Sequence, residues 1–149
     1  LIGTLLWAWS RDRMRTVQSV PVKPTITEEA ANRLGKIGGI FETDANDELV
    51  SIIIANTPVS ESGWKLLGQL KNVRKLILKN CSLKDADLKN LALLPQLEIL
   101  GLAENSITDH GIASIGDLSE LTALDVQGTK ITNTGAKWLR EHTDAKVFY

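Results

Sequence analysis

Asp109 and His110 stand side by side, and an acid next to an imidazole is common raw material for general acid–base catalysis. Neighbours in sequence project in different directions, however, and a catalytic pair needs mutually oriented groups. The aspartate also falls where a helix is expected to begin, so a capping role is expected of it. Glu61, Asp85 and Asp109 recur at a spacing of 24 residues and line up as an acidic ladder. One carboxylate per unit falls short of the roughly six to eight oxygens that calcium takes. Cys81 is the single cysteine, so neither an internal disulfide nor a cysteine-rich zinc site can form. No adjacent charge would activate its thiol, and a buried structural role is expected. With no phosphate-binding glycine loop and no metal-spaced histidines, the residues imply no catalytic site, no cofactor, no metal and no enzyme.

The elements that carry these residues follow from a period. Steps of 24 from Leu49 land on Val73, Leu97, Leu121 and Ala145, always apolar. Three positions on stand Ile52, Leu76, Leu100, Leu124 and Phe148, and five on stand Ile54, Leu78, Leu102 and Val126. At plus eight come Thr57, Cys81, Asn105 and Thr129; at plus ten come Val59, Leu83, Ile107 and Ile131. The later columns are helical in spacing: Trp64, Leu88, Ile112 and Ala136, then Leu67, Leu91, Ile115 and Leu139, then Leu70, Leu94, Leu118 and His142. Alternation around Leu100 and Leu102 predicts a short strand with both leucines inward. The plus-eight residue is expected to satisfy backbone groups where the chain leaves the strand. Glu61, Asp85, Asp109 and Asn133 are expected to cap helices, with Gly111 supplying a permissive backbone.

This unit, LxxLxLxxNxL followed by xDxG and an amphipathic helix, resembles the leucine-rich repeat. "NSITDHG" and "TKITNTG" are similar to the variant loop T-x-I-T-D-x-G, found in bacterial proteins and close to the cysteine-containing repeats of F-box adaptors. The resemblance covers Leu49 to about Phe148. It implies an α/β solenoid with a parallel sheet on the concave face and helices on the convex face. Residues 49–149 would form four repeats and a partial fifth strand, with Phe148 in the leucine column. Stacked units need covered ends. Residues 25–48 are expected to supply a cap: a helix begun near Thr27 and carrying Ala30, Ala31, Leu34 and Ile37, stopped by Gly38 and Gly39, then a hairpin turning at "DAND". At the other end Trp138 is expected to act as a hydrophobic lid.

Residues 1–24 break the pattern. "LIGTLLWAW" is too short to span a bilayer alone. Trp7 and Trp9 followed by Arg11, Arg13 and Arg15 fit the interfacial end of a transmembrane helix, with membrane contact through Leu1, Trp7 and Trp9 and the repeats on the cytoplasmic side. A solvent-exposed amphipathic tail or a packing segment fits the same residues. Residues with Pro21 and Pro24 read as an extended linker. The localisation expected is cytoplasmic, or the cytoplasmic side of a membrane.

Across 149 residues, 43% are hydrophobic and 23% charged, a globular balance, and a net charge of −1 argues against nucleic acid as a partner. Function therefore falls to surface. The outward strand columns are Ser51, Lys75, Ile99 and Ala123; Ile53, Ile77, Gly101 and Asp125; and Ala55, Lys79, Ala103 and Gln127. Ile53, Ile77 and Ile99 are apolar where a solvated sheet would be polar, and Arg74, Lys75 and Lys79 concentrate positive charge beside them. An apolar centre with a basic rim suits a protein partner. These residues, with Asp125, are the candidate partner-binding site of a non-catalytic scaffold module. The competing reading is a substrate-recognition or assembly subunit of a larger enzyme or membrane complex, as in small mitochondrial assembly factors with such repeats. No F-box is present to support a ubiquitin-ligase version.

Overall fold

The computed structural model describes residues 25–115 and 120–149. The N-terminal segment discussed above and Leu118 lie outside the described residues. The first helix, α1 (Ile26–Lys36), starts from Thr25. The Thr25 hydroxyl accepts the Glu28 N–H at 3.1 Å while Glu28 accepts the Thr25 N–H at 2.7 Å, a reciprocal capping box. The cap expected at Thr27 is therefore two residues earlier, because only Thr25 has a glutamate three positions on; the Thr27 hydroxyl instead donates to Glu48 at 3.4 Å. The helix ends with Gly38 at φ +72, which lets the Gly39 N–H return to the Leu34 carbonyl at 2.8 Å.

Six strands follow: β1 (Ile40–Thr43), β2 (Leu49–Ala55), β3 (Lys75–Lys79), β4 (Ile99–Gly101), β5 (Ala123–Asp125) and β6 (Lys146–Phe148). They lie in the sheet in chain order. β1 pairs antiparallel with β2 through a hairpin in which Asp44 accepts the N–H groups of Asn46 and Glu48. Every later pairing is parallel, so each connection must cross over, and each contains a helix. These helices are α2 (Glu61–Leu67), α3 (Asp85–Leu88) with a 3-10 turn at Lys89–Leu93, α4 (Asp109–Ala113) and α5 (Asn133–His142). Among the described residues no helix is long and apolar enough to cross a membrane.

Register explains the core. Ser51 pairs with Lys75, Lys75 with Ile99, and Ile99 with Ala123, each a step of 24 residues. Ile52, Leu76, Leu100 and Leu124 thus stack in one buried row, and Ile54, Leu78, Leu102 and Val126 in a second. Trp64, Leu67, Leu88, Leu91, Ile112, Ile115 and Leu139 close the core from the helical side. Each such side chain removed from water stabilises the fold by about 1.5–3 kcal/mol.

The last step is shorter. Ala123 pairs with Lys146, a step of 23, so Val147 rather than Phe148 faces Leu124. This overturns the expected place of Phe148 in the leucine column. The helix α5 runs on through His142 and leaves residues 143–145 to reach the strand. Because successive strand side chains alternate between faces, a slip of one residue sends Phe148 outward, where it is 40% exposed.

The residue that ends each strand row also repeats. Asn56, Asn80, Glu104 and Gly128, at 24-residue steps, all have positive φ, between 50 and 67 degrees. Asparagine and glycine tolerate this backbone well, and the left-handed residue turns the chain out of the sheet in every unit. The Asn80 side-chain amide donates to Asn56 Oδ1 at 2.8 Å and links two of these turns.

Candidate functional site

Two internal ladders hold the units in register before any surface is considered. Asn105 is 4% exposed and makes five hydrogen bonds. Its Oδ1 accepts the N–H groups of Cys81 and Leu83 at 2.9 and 3.0 Å; its amide nitrogen donates to the carbonyls of Leu78, Leu102 and Ala103. In the unit before, the Cys81 thiol points at the carbonyls of Ile54 and Lys79 at 3.4 and 3.3 Å. Burial pushes that thiol above its usual pKa, against a smaller opposing hydrogen bond, so the thiolate needed for chemistry is disfavoured.

The second ladder uses the acids. α2, α4 and α5 are capped one residue earlier than expected, by Ser60, Thr108 and Thr132, whose hydroxyls accept N–H groups of the first turn, and α3 starts from Lys84 rather than Asp85. Asp85 and Asp109 are then free to reach into the following unit. Asp109 accepts the N–H of Thr132 at 2.7 Å and its hydroxyl at 2.5 Å, and these bonds hold its carboxyl below the ordinary value of 3.8. Asp109 thus links its own helix start to Thr132 of the following unit. Gly111 lies inside its helix at negative φ, so its purpose is not backbone freedom. A Cβ there would lie 2.7 Å from Asp85 Cγ, and one on Gly135 would lie 2.9 Å from Asp109 Cγ. Glycine makes room for the carboxylate of the preceding unit.

The candidate partner-binding residues Ile53, Lys75, Ile77, Lys79, Ile99 and Asp125 lie on the side of the sheet opposite the helices, and Arg74 stands just before β3. Ile40, Ile53, Ile77, Gly101, Asp125 and Phe148 form one row across all six strands. Ile53 and Ile77 are adjacent and half-buried, while Ile99 belongs to the next row, paired with Lys75. Ile77 leans over Gly101, where a Cβ would meet its Cδ1 at 2.7 Å. Between Ile77 and Phe148 lies a hollow of about 240 Å³, completed by Ile99, Leu100, Ala123, Asp125 and Gln127.

The basic rim is corrected. Arg74 lies 3.5 Å from Glu98 and Lys79 lies 3.1 Å from Glu104, each acid coming from the next unit. Both cations are thereby countered, and of the three only Lys75 has no ion pair among the described residues. The sequence columns did not connect Glu98 and Glu104 with the face, although both follow their partners at about one period. Phe148 was missed because the period placed it inward, and strand alternation alone carries no signal for the slip. At that end Trp138 is half-buried and stacks on His142, with ring centroids 4.2 Å apart. No protein-family model matches the chain, and no curated protein matches it.

Proposed function

We propose that the chain is a leucine-rich-repeat solenoid and a non-catalytic protein-interaction module that binds a protein partner through the concave face of its sheet. The 24-residue register, the buried asparagine of the turn and the helix in every crossover support the repeat assignment. The observation that carries the binding reading is the row Ile40–Ile53–Ile77, apolar side chains on a sheet face that no described helix covers. A solvated face built for solubility alone would be polar at these positions. A membrane tether through Leu1, Trp7 and Trp9 belongs to the same proposal, since repeats held at a surface would present this face to other proteins there.

The test is capture of partners from a lysate of the source cells with the wild-type chain and an Ile53→Glu, Ile77→Glu double variant of matched circular dichroism. Loss of a partner with the variant supports the face. Equal capture by both moves the binding surface to the helical side or to the Trp138 end. Stoichiometric recovery would make the chain an assembly subunit; weak recovery fits a recruiting module.

A further inference from the structure

We propose that the hollow over β4 and β5 receives an arginine side chain carried by a protein partner, an assignment that rests on the binding reading above. Its two ends differ. Ile99 and Ala123 close one end; the polar end is made by Asp125, two residues further along β5, and Gln127, two residues past the end of that strand. Two strand residues span about 6.6 Å, so the occupant needs an apolar stem of that order and a polar head. Ile77 and Phe148 stand in the same row as Asp125, on either side of it, and form the side walls that would flank the head where it meets the stem.

The head must be cationic. Asp125 takes one hydrogen bond, from the Gln127 N–H at 3.0 Å, and has no ion pair among the described residues. Glu98 and Glu104, acids of the neighbouring strand and turn, are already paired with Arg74 and Lys79. A purely apolar occupant would seal the Asp125 carboxylate from water with no counter-charge, which is costly. Lys146, which pairs with Ala123, holds its Nζ 5.0 Å from the Phe148 ring centroid and makes no ion pair among the described residues. The ring face therefore already attracts positive charge. A guanidinium suits the site better than an ammonium, being planar, able to stack on Phe148, and able to donate to Asp125 and the Gln127 side chain together. A residue within a protein fits better than free arginine, because the apolar row of Ile77 and Ile53 borders the hollow and offers contacts to the residues flanking the arginine.

The experiment is an NMR titration of the ¹⁵N-labelled chain with acetyl-Ala-Leu-Arg-Leu-Ala-amide and with matched peptides carrying citrulline or leucine in place of arginine. The arginine peptide is expected to bind in the millimolar range, with saturable shifts at the amides of Ala123, Asp125, Gln127 and Phe148. Citrulline, equal in shape and neutral, should bind about tenfold more weakly, and Asp125→Asn should reduce arginine binding by a similar factor. Lys146→Gln, which removes the competing cation, should tighten it. Equal or tighter binding of the leucine peptide at the same amides, unchanged by Asp125→Asn, would overturn the arginine assignment and leave the binding face standing. Absence of shifts at this face with all three peptides would overturn both.

Discussion

Asp85 accepts both hydrogen bonds that Thr108 of the following unit can offer, the N–H at 2.8 Å and the hydroxyl at 2.6 Å. The same threonine caps α4 by accepting the His110 N–H at 3.3 Å. One side chain thus joins a helix start to the unit before it, and Asp109 with Thr132 repeats the arrangement one unit on. The space for each acid is made by the glycine three residues after the threonine.

Gly111→Ala should therefore displace the Asp85 carboxylate and destabilise the chain by about 1–3 kcal/mol in urea unfolding. In an Asp85→Ala background the same change should cost much less, since the group it strikes is gone. Gly35→Ala, where nothing lies within 4 Å, should instead be neutral or stabilising by up to about 1 kcal/mol. Equal costs for Gly111→Ala in both backgrounds would show that some other contact sets the need for glycine.

Asn105→Ala should cost on the order of 2–5 kcal/mol, because it removes the acceptor of the buried Cys81 and Leu83 N–H groups and a donor to the Leu78 and Leu102 carbonyls. Asn105→Asp should be as damaging at neutral pH, where a carboxylate would face those carbonyls, and should recover in part as the pH falls. A pH-independent Asn105→Asp loss would count against this account.

Acid should weaken the second ladder in a defined window. Asp109 is held below 3.8 by the Thr132 hydroxyl and N–H; for Asp85 burial opposes, but the two Thr108 bonds and nearby His110 still lower it. A carboxyl depressed in the folded state contributes stability that is present above its ordinary value of 3.8 and is lost as the pH falls through the lower folded value. Asp109→Asn should be less stable at neutral pH, with a shallower acid limb that converges on wild type. Parallel limbs would show that Asp109 is not coupled to folding.

Cys81 is 1% exposed, and its thiol is shifted toward the protonated form by burial. Alkylation by iodoacetamide at mildly alkaline pH should be negligible in the native chain and should rise along the urea transition. Rapid labelling without denaturant would mean that the turn around Cys81 opens locally.

Leu100→Ala should cost about 2–5 kcal/mol, as expected for a fully buried leucine. Ile77→Ser, at a half-buried position on the open face, should cost roughly 1 kcal/mol or less. A comparable loss at both would make Ile77 part of the core and remove it from the proposed binding surface.

The inward rows, the plus-eight asparagine and the helix in each unit were legible in the chain itself. Burial and turn chemistry act on each unit in the same way, so the same residue types recur at the same spacing. Ile52, Leu76, Leu100 and Leu124 carry that signal without help from neighbours in space. What Asp85 and Asp109 bind was not legible, since capping its own helix and reaching the next unit place an acid at nearly the same position. The neutralised rim depended on whether Glu98 meets Arg74 and Glu104 meets Lys79, which is a matter of side-chain reach across strands. The direction of Phe148 was decided by the short connection after α5, where one residue fewer reverses a strand's faces. Repetition of residue types determined the core and the turns; distances between units, set only when they stack, decided the face that Phe148 and Asp125 now share.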